Sequence, residues 1–539
     1  MNLSILLIIG TVIGCLLAGK CLIHYFQLES YQFPGYFRTL RRNLLKAVLP
    51  GFLMTVLLIA TLLLTVLISP RITWIHYAAD TIVLIAGGFL IGKATSEKNA
   101  KKAFVLTPRI KRFYAVALIV LTLILVLVSG GIDPAGGLKT TEDRIGIAFV
   151  IIFPALLPLW IALSGLLAWP IEKGISELYF RDAQRILISR KDLIRIGITG
   201  SWGKTSVKFI LGTILEEKYH TLVTPASFNT PMGVTKVIRS KLEPGHRVFV
   251  AEMGARHVGD IKEMCRLVHP EIGILTSVGP QHLDTFKTLD RVIRTKYELI
   301  DALPADGRSF FADDRDICRK LYEKTTKEKT ISGLDPAYDD VWAENITYSP
   351  EGSEFDLCRK GERTPCRSQL LGELNIRNIL LCASVAFGLG LTAEQIARGI
   401  EKIRPIEHRL QLIRNPGGMS VIDDAFNSNI RGARQAFQVL KVFPEKRIVV
   451  TPGMVELGEK EYEMNREFGE AMADCCDRAI LVGKKRSQAI SEGLRAGGFA
   501  ENNIHVVSSL DEATALLRQI VMPGDTVLFE NDLPDNYTE

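Results

Sequence analysis

No CxxC pair occurs in the chain, and its nine cysteines follow no regular spacing, Cys475 and Cys476 being adjacent. That argues against a disulfide framework and reads as buried or free thiols in a reducing compartment. No arginine-rich stripe with interleaved aromatics is present, so nothing points to nucleic acid. The LSGGQ signature of ABC-type transporters is missing. The first apolar stretch has neither a basic n-region nor a convincing cleavage site, which makes it a retained helix rather than a cleaved signal.

What is present divides unevenly. The 539 residues are too many for one core and suggest three or four units, at roughly 150 residues each. Hydrophobic residues make up 47% of the chain, but the long apolar runs fall in its first third, so the net charge of +6 has little meaning for the whole. Five stretches have the length that spanning a bilayer requires: 3–23, 47–69, 74–92, 114–131 and 146–169. Arg38, Arg41, Arg42 and Lys46 lie between the first two. Lys93, Lys98, Lys101, Lys102, Arg109, Lys111 and Arg112 lie between the third and fourth. The segment 132–144 carries Asp133, Glu142 and Asp143 against Lys139 and Arg144. Basic loops stay cytoplasmic. A multi-pass cell-membrane protein is expected, with its N-terminus outside and everything after Trp169 in the cytoplasm. Asp80, inside the third stretch, is a functional candidate by its depth, though a structural role weighs more. Residues 174–181 are amphipathic and basic-flanked, so 171–190 is expected to be a linker along the membrane surface.

From Ile194 short apolar runs alternate with helical stretches: Ile194–Thr199, Val207–Glu216, Val248–Glu252, Ile261–Val268 and Ile272–Ser277. These are βα units on a parallel sheet. The first run ends in Gly-Ile-Thr-Gly-Ser-Trp-Gly-Lys-Thr-Ser (197–206), and a helix follows. Backbone amides of such a loop cradle phosphates, and the helix N-terminus adds partial positive charge. Gly200, Ser201, Gly203, Lys204, Thr205 and Ser206 are the candidate nucleotide-binding residues. Lys204 is expected at the β- and γ-phosphates, and the Thr205 hydroxyl on Mg²⁺. The common GxxxxGK[ST] form wants glycine where Ile198 stands.

This glycine spacing resembles the ATP loop of the Mur ligases, and further motifs follow in that family's order. They are Ser-Phe-Asn-Thr-Pro-Met-Gly-Val (227–234), Ala-Glu-Met-Gly (251–254), Thr-Ser-Val-Gly-Pro-Gln-His-Leu-Asp (276–284), Arg-Thr-Lys-Tyr-Glu-Leu-Ile (294–300), Asp-Asp-Ala-Phe-Asn-Ser-Asn (423–429) and Gly-Met-Val-Glu-Leu-Gly (453–458). The order is most similar to that of the members adding D-alanyl-D-alanine to UDP-N-acetylmuramoyl-tripeptide, and the resemblance covers roughly 191–539. It implies a P-loop α/β central domain (191–411) and a Rossmann-like α/β C-terminal domain (412–539) behind an α-helical transmembrane region (1–170). By resemblance, Glu252 and His282 are metal ligands, and Lys296 is a carbamylated lysine that helps hold Mg²⁺. Glu252 also ends an apolar strand, where ligands of parallel sheets bind. Asn375 and Asn378 resemble the adenine-side motif, with Leu374 where a histidine is usual. Arg409 resembles the arginine near the nucleotide at the domain junction, and Asp423 or Asp424 the ribose or linker contact. Phe426 stands for a usual tyrosine and Ile430 for a usual proline. Asn427 and Asn429 are candidates for positioning the amine. The ending 529–536 departs from the family's Lys-Gly-Ser.

The implied activity is an ADP-forming ligase that makes an amide through an acyl-phosphate, with ATP and two Mg²⁺ ions, in cell-envelope or peptidoglycan precursor synthesis. Lys204, Glu252, His282 and Lys296 are its expected catalytic set. Members of this type begin with a soluble domain that grips the UDP part, and here apolar stretches take that place. The expected partners are therefore a lipid-linked or polymeric carboxylate, an amino-acid or dipeptide amine, membrane lipid and envelope-synthesis proteins. Two alternatives remain: a synthase of a poly-γ-glutamate-like polymer, and an ATP-driven transporter or nucleotide sensor.

Overall fold

Runs of Leu, Ile and Val too long for strands become helices in the computed structural model. It describes residues 4–29, 31–68, 74–96, 103–128, 141–226, 228–414, 417–425, 430–455 and 457–531. The chain forms two units, Met1–Glu177 and Leu178–Glu539. The helices beginning in the first are α1 Ser4–Ala18, α2 Lys20–Leu28, α3 Phe33–Arg42, α4 Leu44–Ile68, α5 Trp74–Ala94, α6 Pro108–Val128, α7 Thr141–Ile152 and α8 Leu157–Ser189. Among the described residues, Leu44–Ile68, Ile75–Ala94, Pro108–Val128 and Ile145–Ser189 are long and apolar enough to cross a membrane. Ile5–Ala18 and Lys20–Leu28, bent by 50°, make a fifth if they form one span. Large apolar side chains such as Leu63, Leu67, Ile82 and Ile119 face outward, as lipid contact would require.

Glycines set how closely these helices pack. A Cβ on Gly88 would lie 2.2 Å from the Gly14 carbonyl oxygen, and one on Gly92 would lie 2.1 Å from that of Leu17. Gly10 meets Thr81 in the same way. The contacts advance together along α1 and α5, so the two helices run parallel, backbone against backbone, as small residues permit in lipid. Asp80 is buried on α5 and accepts a hydrogen bond of 2.8 Å from the Thr65 hydroxyl.

Residues 171–190 differ from expectation. They form no separate linker, because α8 continues to Ser189. Within the second unit, Phe180, Ala183 and Leu187 recur at helical spacing and are buried with Phe249, Val268 and Phe311. An apolar face expected to rest on lipid is instead core.

The second unit has two sheets. The first contains β1 Ile194–Thr199, β2 Thr221–Val223, β3 Val248–Glu252, β4 Ile272–Leu275, β5 Arg308–Ala312, β6 Glu328–Gly333, β7 Val341–Ser349, β8 Gly352–Arg359 and β9 Glu362–Ser368. Their order is β2-β3-β1-β4-β5-β6-β7-β8-β9, parallel through β7 and antiparallel beyond. The second contains β10 Gln411–Arg414, β11 Ser420–Asp424, β12 Arg447–Thr451, β13 Arg478–Val482, β14 Ile504–Val507 and β15 Thr526–Glu530, in the order β10-β11-β15-β12-β13-β14. Central strands such as β3 are buried along their whole length, which requires the continuous apolar runs seen in the sequence. Helix α9, Lys204–Leu215, packs on the first sheet with Glu373–Gly388 over a core of Ile196, Ile198, Ile210 and Ile379.

Candidate active site

β1 lies between β3 and β4, so the loops leaving these three strands share one sheet edge. The β1 loop, residues 200–203, enters α9. Gly203 has φ +81°, a left-handed backbone that favours glycine, and a Cβ there would meet the Asn378 side-chain oxygen at 3.1 Å. Asn378 thus flanks the loop. The loop is also tied to the segment after β4. The Ser201 amide donates to the Ser277 carbonyl (2.6 Å), and the Ser201 hydroxyl donates to that of Gly279 (2.9 Å). Thr276 donates its hydroxyl to the Trp202 carbonyl.

Lys204 opens α9 and turns its amine onto the carbonyls of Gly200 (2.8 Å) and Ser201 (2.9 Å). Burial brings this amine down to about 8, opposed by Glu252 and assisted by Arg409. Thr205 donates its hydroxyl to Glu252 Oε1 at 3.1 Å, and Ser206 is buried in the same turn.

Glu252 is the hub of the site. It ends β3 with 1% of its surface exposed. Oε1 also accepts from Asn229 Nδ2 (3.1 Å), and Oε2 accepts from Lys208 Nζ (3.0 Å). Burial alone would raise this carboxyl, but Lys208, Lys204 and the Asn229 amide outweigh it and hold it below its usual value. Lys208 also donates to the Ala226 carbonyl. Neither Lys208 nor Asn229 stood among the candidate residues. The signal for Lys208 was its spacing of four from Lys204, which puts both on one helix face.

Lys296 lies on the helix Leu289–Asp301 with 1% of its surface exposed. Among the described residues, no hydrogen bond or ion pair holds its amine. Burial holds it well below the usual lysine value. The charge of Lys204 adds to this, and Asp260, Glu298 and Glu252 oppose it. Lys296, Lys204 and Glu252 therefore lie within one electrostatic neighbourhood. His282 caps the short helix Leu283–Phe286 after β4, in left-handed backbone with φ +50°.

The remaining candidates divide. Arg409 lies in the field of both Glu252 and Asp424, which favour its charge against burial. Asp424 ends β11 and accepts from the Leu410 amide (3.2 Å). Burial pushes its carboxyl up to about 6, with Arg409 resisting. Asp423 accepts at 2.7 Å from His408. Asn375 donates to the Leu371 carbonyl (2.9 Å), so that amide N–H serves its own helix start. Phe426, Asn427 and Asn429 lie outside the described residues.

Glu252 and Thr205 supply one carboxylate and one hydroxyl, a donor pair that suits Mg²⁺ shared with phosphate oxygens. Among the described residues, no group of three or more His, Cys, Asp and Glu forms an all-protein metal cage.

Two stretches of the chain match domains of known proteins. Residues 198–386 match the Mur ligase middle domain, and 408–530 match the Mur ligase, glutamate ligase domain. The UDP-N-acetylmuramoyl-tripeptide--D-alanyl-D-alanine ligase of Escherichia coli (strain K12) is 31% identical over 356 residues, covering 64% of this chain and 78% of that protein. Its namesake from Bacillus subtilis (strain 168) is 26% identical over 338 residues, covering 62% and 72%. A crystal structure of MurF from Acinetobacter baumannii matches with a TM-score of 0.61 at 25% identity, covering 66% of this chain and 77% of that one. MurF ligase from Thermotoga maritima in complex with ADP matches in fold with a TM-score of 0.60 at 24% identity, covering 66% and 80%.

Proposed function

The chain belongs to the Mur ligase family, and from that premise we propose how its site works and where it works. It is an ATP-dependent, ADP-forming ligase of peptidoglycan-precursor type. The observation that carries the assignment of roles is the meeting of Thr205, Lys208 and Asn229 on Glu252 beside the loop that leads into Lys204.

A carboxylate does not condense with an amine in water, because its oxygen is a poor leaving group. The substrate carboxylate attacks the γ-phosphorus of ATP, the bond to the β-phosphate oxygen breaks, and ADP leaves behind an acyl-phosphate. The amine then attacks the acyl carbon, the C–N bond forms, phosphate departs with the C–O electron pair, and the amine gives up a proton. Lys204 exchanges its two loop carbonyls for phosphate oxygens, and the amides at the start of the helix that it opens face the same charge. Mg²⁺, when bound, neutralises crowded phosphate oxygens and aligns them for in-line transfer. Thr205 and Glu252 would hold one ion, and His282 with Lys296 a second. Lys296 suits the second role as a carbamate: its neutral amine adds to the carbon of CO₂ and loses a proton, which turns a cation into an anion. Its burial, with no hydrogen bond to the amine among the described residues, supports that reading, since burial favours the uncharged amine over the ammonium. Asn378, beside Gly203, and Arg409 with Asp424 contact the nucleoside.

The first third of the chain anchors the ligase in the membrane as a multi-pass region, N-terminus outside and ligase domains in the cytoplasm. Its carboxylate substrate is delivered from the membrane, as a lipid-linked or polymeric acid, and its amine is an amino acid or dipeptide. The test is an ADP-release screen of the full chain against amino acids and dipeptides, with lipid extract as the carboxylate source. Amine-dependent ADP is expected; AMP and pyrophosphate would end the mechanism. Product length by mass spectrometry separates single addition from polymer growth. Lys296→Ala is expected to abolish turnover, and ¹³C-bicarbonate to label the wild type at a carbamate. Full activity in Lys296→Ala would remove that role.

A further inference from the structure

Two basic groups at the start of α6 are neutralised within the first unit. Arg112 donates to both oxygens of Glu172 (2.6 and 2.8 Å). Arg109 stands 3.7 Å from the same carboxylate, with its guanidinium 3.8 Å from the centre of the Tyr31 ring. Lys20 and Lys93 differ. Among the described residues neither meets a carboxylate, and Lys20 rests on an aromatic face, 5.4 Å from the centre of the Phe104 ring. Both line a cavity of about 540 Å³ walled by Phe89, Phe104, Leu106 and Tyr114.

The close packing of α1 on α5 puts these lysines together. Gly92 lies against the Leu17 carbonyl, and the parallel helices end at one level. Lys93 follows Gly92 directly. Lys20 follows Leu17 by three residues, across the 50° bend between α1 and α2. Two ammonium groups thus share one cavity at the end of the helices whose following loop is basic. Their repulsion is relieved by an anion, and a soluble anion would gain nothing from the apolar wall, where Phe89 and Leu106 are 59% and 54% exposed.

We propose that this cavity is a binding site for the phosphate headgroup of an anionic membrane lipid, with Lys20 and Lys93 on the phosphate and the aromatic and leucine walls along the first carbons of its chain. The inference rests on the reading that these helices cross a membrane, and it adds a lipid site on the ligase's side of that membrane.

The experiment uses the full chain, purified in detergent and observed by native mass spectrometry with phosphatidylglycerol, phosphatidylcholine or inorganic phosphate. Phosphatidylglycerol is expected to be retained at about tenfold lower concentration than phosphatidylcholine, two charges each contributing several-fold. Lys20→Ala/Lys93→Ala should erase the difference, Lys20→Arg/Lys93→Arg should keep it, and Lys111→Ala on the same basic segment should leave it unchanged. Unchanged thermal unfolding of the double alanine variant shows that it folds. Equal retention of the two lipids, or a preference that survives the double alanine variant, would overturn the site. Competition by inorganic phosphate as strong as by lipid would reassign it to a soluble anion and overturn it too. Carbonate washing of membranes separates this from the premise. A chain released by carbonate defeats the membrane reading, whereas a retained chain without lipid preference defeats only the site.

Discussion

Lys208 shows how a charged residue becomes structural. Its side chain is 0% exposed and that of Glu252 is 2% exposed, so each is the other's main compensation. Removing one member of a buried pair strands a charge, which costs about 3–5 kcal/mol, far above the value of an exposed pair. Lys208→Met should therefore lower the unfolding free energy by about that amount. Adding Glu252→Leu should recover part of it, because no lone charge remains. A denaturant midpoint unmoved by Lys208→Met would show that the carboxylate has other support. In sequence only its spacing of four from Lys204 marks this residue. Its role depends on β3 lying beside β1, which no local pattern reveals.

Lys204 carries a pH dependence of definite sign. Its folded-state value, about 8, lies below the ordinary lysine range. A lysine lowered in this way stabilises the fold at pH above that range, and the contribution is lost as pH falls through about 8. Nucleotide binding runs the other way. The free site loses its proton as pH rises past about 8, while a bound triphosphate holds the proton on. Affinity for a non-hydrolysable ATP analogue should thus fall above that pH, by up to about tenfold per unit. Calorimetric titration from neutral to alkaline pH measures it, and Lys204→Met should remove the slope along with most of the affinity. A flat profile in the wild type would mean that the amine stays charged throughout.

At the scale of elements, legibility followed burial. β3 was readable residue for residue as Val248–Glu252, because an interior parallel strand buried along its whole length is a continuous apolar run. β7, β8 and β9 were not read. Their residues mix Glu, Arg, Asp and Thr with scattered apolar positions, and only one face is covered. The end of α8 was misread for a related reason: an amphipathic face tells that something covers it, not whether lipid or protein does. Phe180, Ala183 and Leu187 make this testable. A fragment beginning at residue 171 keeps these side chains, and one beginning at 191 loses them. The shorter fragment should be less stable by at least the roughly 3–5 kcal/mol of one buried phenylalanine. Equal melting temperatures would place this segment outside the ligase core.

For the whole molecule, the proposed membrane anchor implies a definite side for the ligase. The basic segments 38–46 and 93–112 and the acidic positions near Asp133 argue for a cytoplasmic ligase, and ATP is found in that compartment. The chain is suited to a direct test, since all nine of its cysteines are buried and give little background to thiol reagents. In intact cells, a membrane-impermeant maleimide should label Asp133→Cys and should not label Lys98→Cys until the cells are opened. The reverse pattern would put the nucleotide site away from its substrate and, with it, defeat the membrane-delivered ligase. Labelling of both positions in intact cells would mean that the helices do not separate two compartments. The cytoplasmic arrangement also has a consequence for the substrate. The match to the family's middle domain begins at residue 198, and a chain held in the membrane by what precedes it would meet lipid-borne acids in two dimensions. Turnover should then depend on the lipid phase: a lipid-linked acid in the same vesicle as the enzyme should react faster than the same amount in separate vesicles. Equal rates in the two arrangements would mean that the carboxylate arrives through water and that the helices serve as an anchor alone.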